Sequence, residues 1–116
     1  MTTPDGSGFH ETSPGVALRI LRRDAAGGMT FMVRMKAGAH APLHGHPGGE
    51  ETYLLEGRLK VCHRVDSGGA ALPDVELAPG EYLYAKPGEQ HDGFTDTETL
   101  FFVVAPGGLA PARKVL

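Results

Sequence analysis

The sequence is poor in the residues that mark several protein classes. It has no tryptophan and one cysteine among its 116 residues. That single residue, Cys62, excludes an internal disulfide and a cysteine-rich zinc site. No apolar run is long enough to span a membrane, and lysine and arginine form no block. The chain has 11 basic and 14 acidic residues and a net charge of −3. We therefore expect neither nucleic acid nor an anionic membrane as a partner.

The motifs of several common enzyme classes are also missing. The chain contains no P-loop, no HExxH, no GxGxxG before a helix and no GxSxG. Its first fifteen residues are polar and do not show a basic segment followed by an apolar one, so we expect no secretion signal and a cytoplasmic protein. A chain of 116 residues predicts a single domain.

Glycine and proline, in contrast, are abundant, with 17 and 9 copies. They divide the chain into short segments, a pattern typical of short strands joined by turns. We therefore predict an all-β sandwich or barrel of about eight to ten strands without a convincing helix. The domain is expected at 16–106, between a loose tail at 1–15, with one edge strand around Phe9, and a weakly ordered tail at 107–116.

The apolar pattern locates most of the strands. Residues 29–36 alternate and bring Phe31, Val33 and Met35 to one side, as a half-buried strand does. Residues 37–49 contain too much glycine and proline for a helix. The other predicted strands lie at 16–23, where helix is a weak competitor, in a pair within 50–65 that meets at Gly57, in a pair within 75–94, and at 99–106.

The stretch HGHPGGEETYLLEG at 44–57 contains the strongest candidate for chemistry. His44 and His46 are two residues apart, so on an extended strand both imidazoles face the same way. The glycine-rich turn that follows is expected to swing Glu50 back toward them, whereas His91 can join this set only through folding. Three histidines and a carboxylate suit Fe, Mn, Ni, Cu or Zn. A His-x-His pair alone would more often be solvated polarity.

The spacing extends further and resembles the two motifs of the cupin superfamily. Gly38 to Gly57 follows the first motif, G-x5-H-x-H-x3-E-x6-G. The segment from Gly80 to His91 is similar to the second, G-x5-P-x-G-x2-H-x3-N, although its proline comes one place late and Thr95 stands at the asparagine position. The stretch looks most similar to small single-domain bacterial cupins, to the cupin modules of ChrR-type proteins and to small cupin dioxygenases.

This resemblance implies an RmlC-like jelly-roll barrel, also called a double-stranded β-helix, with a metal ion in its mouth. It maps the ligands onto His44, His46, Glu50 and His91. Iron or manganese is favoured, with zinc, nickel and copper as alternatives.

Several neighbouring side chains are candidates for the pocket or for contacts with the ligands. Glu51 competes with Glu50 for the carboxylate role, although the gap to the last glycine of the motif favours Glu50. His40 could line the cavity, orient a ligand or lie in water at the rim. His63 is expected to pack or to line the pocket. Tyr84 could bind substrate, although tyrosines on strands are commonly packing residues.

Two functions remain open. The first is a metalloenzyme of dioxygenase or isomerase type that acts on a small oxygenated molecule, without assigned catalytic residues. The alternative is a non-catalytic, metal-dependent sensor or small-molecule binder, since a fold alone does not decide function. In addition, the segments 54–61 and 99–106 are apolar on both faces, which predicts a second copy of the chain as a partner.

Overall fold

The structure, a computed structural model, describes residues 8–111 and consists of strands joined by turns. Eleven strands and no helix occur in this range, which confirms the all-β prediction. A helix that could cross a membrane is not found among these residues. The strands are β1 (His10–Ser13), β2 (Val16–Arg23), β3 (Met29–Met35), β4 (His40–Gly45), β5 (Glu50–Glu56), β6 (Leu59–Val65), β7 (Val75–Leu77), β8 (Tyr82–Ala85), β9 (Gln90–Phe94), β10 (Thr99–Ala105) and β11 (Ala110–Pro111).

The strands form two sheets in which every pair is antiparallel. The large sheet has six strands in the order β1-β2-β3-β10-β5-β8, and the small sheet has five in the order β11-β4-β9-β6-β7. The chain crosses between the sheets repeatedly, so β5 and β9, which carry residues of both sequence motifs, lie in different sheets.

The core lies between the two sheets because alternate side chains on each strand turn inward. On β3 the inward residues are Phe31, Val33 and Met35, as predicted, and all three are buried. Met35 and Leu54 have no exposed surface at all. Full burial of a side chain of this size contributes about 1.5–3 kcal/mol to folding.

Glycine at position 57 is required by both the backbone and the packing. Gly57 directly follows β5 and has φ +86, a conformation that is unfavourable for residues with a side chain. A Cβ atom at this point would collide with the carbonyl oxygen of Glu98 and with the side chain of Thr99. The last glycine of the first motif therefore lets β5 turn directly into β6 against the strand behind it.

The structure differs from the predicted boundaries at both ends. Residues 10–13 lie in the predicted tail, where an edge strand was expected around Phe9; they form β1 and pair with β2, and Phe9 is buried. Residues 110–111 likewise pair with β4 as β11. The remaining parts of the predicted tails, 1–7 and 112–116, lie outside the described residues. The segment 75–94 holds three short strands instead of two.

Candidate metal centre

Three side chains from separate parts of the fold converge in a group suited to a metal ion. His46 follows β4, Glu50 begins β5 and His91 lies on β9, and one ligand atom from each lies within 4.8 Å of the other two. His46 Nε2 is 3.1 Å from Glu50 Oε2, and His91 Nε2 is 3.2 Å from Glu50 Oε1. The two imidazole rings stack with centroids 4.2 Å apart. Both Nε2 atoms therefore face one carboxylate.

The tight turn between His46 and Glu50 accounts for this convergence. The carbonyl oxygen of His46 accepts hydrogen bonds from the amides of Gly49 at 3.0 Å and Gly88 at 2.9 Å. Gly49 has φ +84 and lies so close to Pro87 and Ala85 that a Cβ atom would crowd both. The turn thus reverses the chain and joins the two motif segments, which brings the carboxylate back toward the imidazoles.

Glu89 fixes the orientation of both imidazoles. His46 Nδ1 donates to the carbonyl oxygen of Glu89 at 2.9 Å, and His91 Nδ1 donates to its carboxylate at 2.9 Å. Arg64 in turn holds the Glu89 carboxylate through two hydrogen bonds, of 3.0 and 3.1 Å. Partners of this kind select the tautomer that presents Nε2 to a metal ion.

Sequence reasoning missed Glu89 and Arg64. For Glu89 a signal was present, since a carboxylate two residues before a candidate ligand can lie on the same side of an extended segment. For Arg64 there was none, because its contact with Glu89 depends on the pairing of β6 with β9.

Ionisation of the group is strongly coupled. Burial disfavours the charged form of Glu50, but hydrogen bonds and positive charge from His46 and His91 outweigh it and lower the pKa of Glu50 from 4.5 to about 2. Burial also disfavours the His91 imidazolium, yet Glu50 and Glu89 outweigh it and raise the pKa of His91 from 6.5 to about 9. The pKa of Glu89 is lowered because hydrogen bonds from His91 and Arg64 outweigh its burial. Without a metal ion, the raised pKa of His91 favours its protonated form at neutral pH.

The donor set fits a divalent transition metal. Two imidazole nitrogens and one carboxylate oxygen are ligands that Fe, Mn, Ni, Cu and Zn accept. The Nδ1 atom of each imidazole already has a hydrogen-bond partner, and both Nε2 atoms lie next to the Glu50 carboxylate.

His44 lies beside this group and is not one of its three members. It pairs with His91 in the register between β4 and β9 and lines the same cavity. Its Nδ1 contacts the carbonyl oxygen of Pro42 at 2.8 Å, so Nε2 is the nitrogen that could bind a metal ion. His44 therefore stays a predicted fourth ligand.

A large cavity opens next to the three converging side chains. Its volume is about 720 Å³, and it lies between the two sheets. His44, His46, Glu50 and His91 lie along one part of its lining, and most of the remainder is apolar. A volume of this size is typical of small-molecule sites.

The structure does not bring His40 and His63 to this cavity. Both are exposed and hydrogen-bond the buried carboxylate of Asp92, His40 through Nε2 at 2.9 Å and His63 through Nδ1 at 2.8 Å. Asp92 follows His91 on β9, so its side chain alternates to the other face of the small sheet. His40 also stacks on Phe94 at 4.4 Å, and His63 has φ 53 where the β6–β9 register shifts.

Glu51 and Tyr84 do not reach the cavity either. They pair with each other in the register between β5 and β8, and both are exposed on the outer face of the large sheet. Alternation along β5 turns Glu51 outward because Glu50 turns inward. Glu51 accepts a hydrogen bond of 2.7 Å from the hydroxyl of Tyr82.

Comparison with known proteins gives one family match. The family model described as the ChrR cupin-like domain matches residues 1–110. A protein of Arabidopsis thaliana, DNA damage-repair/toleration protein DRT102, is 29% identical over 94 residues. Those residues cover 81% of this chain and 28% of that protein, so the chain spans a minor part of that relative's length.

Solved structures share the fold at low sequence identity. An acetylacetone dioxygenase from Acinetobacter johnsonii matches with a TM-score of 0.74 and 17% identity, covering 100% of this chain and 80% of the other. An RmlC-like cupin from Shewanella frigidimarina matches with a TM-score of 0.69 and 19% identity, covering 98% and 92%. These similarities confirm the predicted jelly-roll fold.

Proposed function

The chain belongs to the family of the ChrR cupin-like domain, and from this premise we propose that it is a metal-dependent enzyme acting on a small oxygenated organic molecule. The observation that carries the proposal is the convergence of two imidazole Nε2 atoms and one carboxylate at the wall of a cavity of about 720 Å³. A fully closed structural site would lack such a space beside its ligands.

His46, Glu50 and His91 would hold the metal ion, with His44 as the fourth ligand that the cupin resemblance implies. Iron or manganese is the favoured ion, and zinc, nickel and copper also suit these donors. Such an ion supplies Lewis-acid polarisation of a substrate oxygen and, if it is iron or manganese, access to dioxygen chemistry.

The protein's own residues supply the surroundings of this centre. Glu89 and Arg64 keep the Nε2 atom of His91 directed at the site. The apolar walls of the cavity exclude water from a bound substrate, which strengthens the electrostatic interactions inside. Acetylacetone dioxygenase, which has the same fold, motivates a first screen with diketones and aryl ketones.

The direct test is the metal content of untagged protein expressed with all five metals available and purified without a chelator. We expect near-stoichiometric iron or manganese, loss of most of the metal from His46→Ala, and retention of it by the control His63→Ala, which removes a histidine outside the cavity. Oxygen uptake or substrate loss should then appear in the screen. Full metal occupancy in His46→Ala would contradict the ligand assignment.

A second candidate function is a non-catalytic sensor or binding module. One observation favours it: apart from the four candidate ligands, Asp92 is the only ionisable residue among the described residues that line the cavity, and its carboxylate is already hydrogen-bonded to His40 and His63. Tight binding of a small molecule without turnover, in protein that contains its metal, would support this alternative.

We also propose that the outer face of the large sheet binds a second copy of the chain. The strand register places five residues in one row across five strands: Arg19, Met32, Phe102, Tyr53 and Tyr82. This row begins with a basic residue, is apolar in its middle, and ends at Tyr82, which hydrogen-bonds the acidic Glu51. A two-fold axis along β10 would lay the apolar parts against each other and Arg19 over the partner's acidic end. Such self-complementarity is typical of a symmetric dimer.

The dimer proposal is tested by the molar mass in sedimentation equilibrium. Phe102→Lys, at the centre of the row, should convert the dimer to a folded monomer. Phe94→Lys changes an exposed aromatic residue on the other sheet and should leave the dimer intact. A monomeric wild-type protein at micromolar concentration would refute the proposal.

A further inference from the structure

Gly93 is a glycine that the backbone does not require. It lies inside β9, its φ is not in the left-handed region, and it pairs without a bulge with Ala41 on one side and Val61 on the other. A Cβ atom at this position would meet side-chain atoms first, Leu59 Cδ1 at 3.2 Å and Ala41 Cβ at 3.7 Å. The nearest backbone atom, the carbonyl oxygen of Lys60, would be at an ordinary contact distance of 3.9 Å. Glycine inside a strand marks a bulge, a close backbone or a place where a ligand approaches, and here only the ligand remains.

The space in front of Gly93 belongs to the cavity beside the candidate metal centre. Gly93 follows His91 by two residues, so it turns to the same side of the sheet about 7 Å further along the strand. The register places Ala41 and Val61 next to Gly93, and all three line the cavity. A row of small and medium side chains thus follows the row that contains His44 and His91.

Most of the cavity wall beyond the candidate metal ligands is apolar. Thr52 is engaged within the protein, since its hydroxyl donates to Glu50 at 3.3 Å, and Asp92 is hydrogen-bonded to His40 and His63. A molecule that reaches past the metal ligands therefore meets hydrocarbon, and burial of its own apolar surface stabilises its binding. The large sheet supplies the apolar wall with Leu18, Phe31, Val33, Phe101 and Val103.

We propose that the ligand has one polar end, at His46, Glu50 and His91, and an apolar body that lies over Gly93, whose missing side chain sets the size of the body that fits. The inference rests on the proposed function for the polar end and narrows its substrate class to molecules with a hydrocarbon chain or ring beyond the oxygenated group. Gly93 is a specificity-determining residue in this scheme and takes no part in the chemistry.

The test is displacement of N-phenyl-1-naphthylamine, an uncharged probe that fluoresces in apolar surroundings, from the full chain as purified. The competitors are 2-pentanone, 2-heptanone and 2-nonanone, which share one polar end and differ in the length of the apolar body. Each added pair of methylene groups should raise the affinity about tenfold, because more hydrocarbon surface is buried. Equal affinities of the three ketones, or no binding of the probe, would overturn the inference.

Gly93→Leu locates this dependence on chain length. Its side chain would occupy the space in front of position 93, so 2-nonanone should bind at least about tenfold more weakly, whereas the affinity for 2-pentanone should change less than about twofold. Gly68→Leu is the matched control, because Gly68 is exposed in a turn outside the cavity and its φ is not in the left-handed region either. The affinity of the probe is measured for each variant first. An unchanged dependence on chain length in folded Gly93→Leu would refute the role of Gly93.

Gly93→Ala keeps the inference testable if Gly93→Leu does not fold. Its methyl group requires Leu59 Cδ1 to move by only a few tenths of an ångström. We expect it to bind 2-nonanone about threefold more weakly at a nearly unchanged thermal midpoint. If Gly93 only served packing, the midpoint would fall and the ratio of the affinities for 2-nonanone and 2-pentanone would stay the same.

Failure of this inference and failure of the proposed function are distinguishable. Protein that holds no metal and turns over no substrate can still bind 2-nonanone more tightly than 2-pentanone. Conversely, equal binding of the three ketones by metal-loaded protein overturns the apolar body alone.

Discussion

Metal binding should depend steeply on pH because the metal ion must displace a proton. In the metal-free protein the pKa of His91 is raised to about 9, chiefly because Glu50 and Glu89 outweigh its burial. The imidazolium therefore predominates at pH 7, and a ligand nitrogen must be neutral to bind a metal ion. Each unit of pH between 7 and 9 should raise the apparent affinity up to about tenfold.

The magnitude over the whole interval follows from this single proton. From pH 7 to pH 9 the apparent affinity should rise about 50-fold, equivalent to about 2.3 kcal/mol, and should level off at higher pH. A histidine with the ordinary pKa of 6.5 would give a change of less than about twofold over the same interval. The two cases are therefore easily separated.

The assay is competition for Zn²⁺ with a fluorescent chelator that is calibrated at each pH, in a non-coordinating buffer of constant ionic strength. Glu89→Gln removes one of the two carboxylates that raise the pKa of His91, so its affinity should vary less steeply with pH. Glu76→Gln removes a carboxylate from an exposed ion pair with Arg58 and should retain the wild-type slope. A wild-type change below threefold would refute the reasoning.

Stability of the metal-free protein gives an independent measure of the same proton. The folded-state pKa of His91 lies above its unfolded value, so the contribution of the imidazolium is complete below pH 6.5 and is lost as the pH rises through about 9. Glu50 behaves in the opposite way: its contribution is complete above pH 4.5 and is lost as the pH falls toward about 2. The free energy of unfolding without metal should therefore be largest between these limits and decline above pH 7.

Other predictions concern single side chains. Glu50→Ala should lose most of the metal in an elemental analysis, whereas Glu51→Ala should retain it because Glu51 faces outward; the reverse ranking would move the carboxylate role to Glu51. Leu54→Ala, at a fully buried position, should lower the free energy of unfolding by about 2–5 kcal/mol in urea titrations, against about 0.5 kcal/mol or less for exposed Leu55→Ala; similar losses would contradict the assigned faces of β5. Gly57→Ala should lower the thermal midpoint by several degrees, through strain at positive φ and collision with Glu98; an unchanged midpoint would show that the turn adapts.

Much of this fold could be predicted from local pattern. The strand at 16–23 was predicted at its observed limits, and 29–36 and 99–106 ended within one residue of β3 and β10. Alternating apolar residues indicate a half-buried strand, and a short continuous apolar run between turn residues indicates a buried one. An edge strand was expected around Phe9, next to the observed β1, but β11 could not be found in this way. It is held by pairing with β4, far earlier in the chain, which leaves little trace in two residues.

The candidate site, too, could be predicted only in part from the sequence. The resemblance to the cupin motifs implied that His46, Glu50 and His91 would converge, as they do, together with His44, which stays a prediction. The positions of His40 and His63 were not predicted, because both hydrogen-bond the buried carboxylate of Asp92. A carboxylate on β9 that binds side chains on β4 and β6 leaves no pattern within a short stretch of sequence.

The two sheets supply different candidate ligands, which would give a bound metal ion a mechanical role. Glu50 begins a strand of the large sheet, and His91 lies on a strand of the small one. An ion bound to both would link the two sheets and connect residues that are 41 positions apart in the chain. Removal of the ion should therefore loosen this rim of the barrel first, with faster amide exchange at the starts of β5 and β9 than in β3. Folding and occupancy of the site would then be a single linked equilibrium.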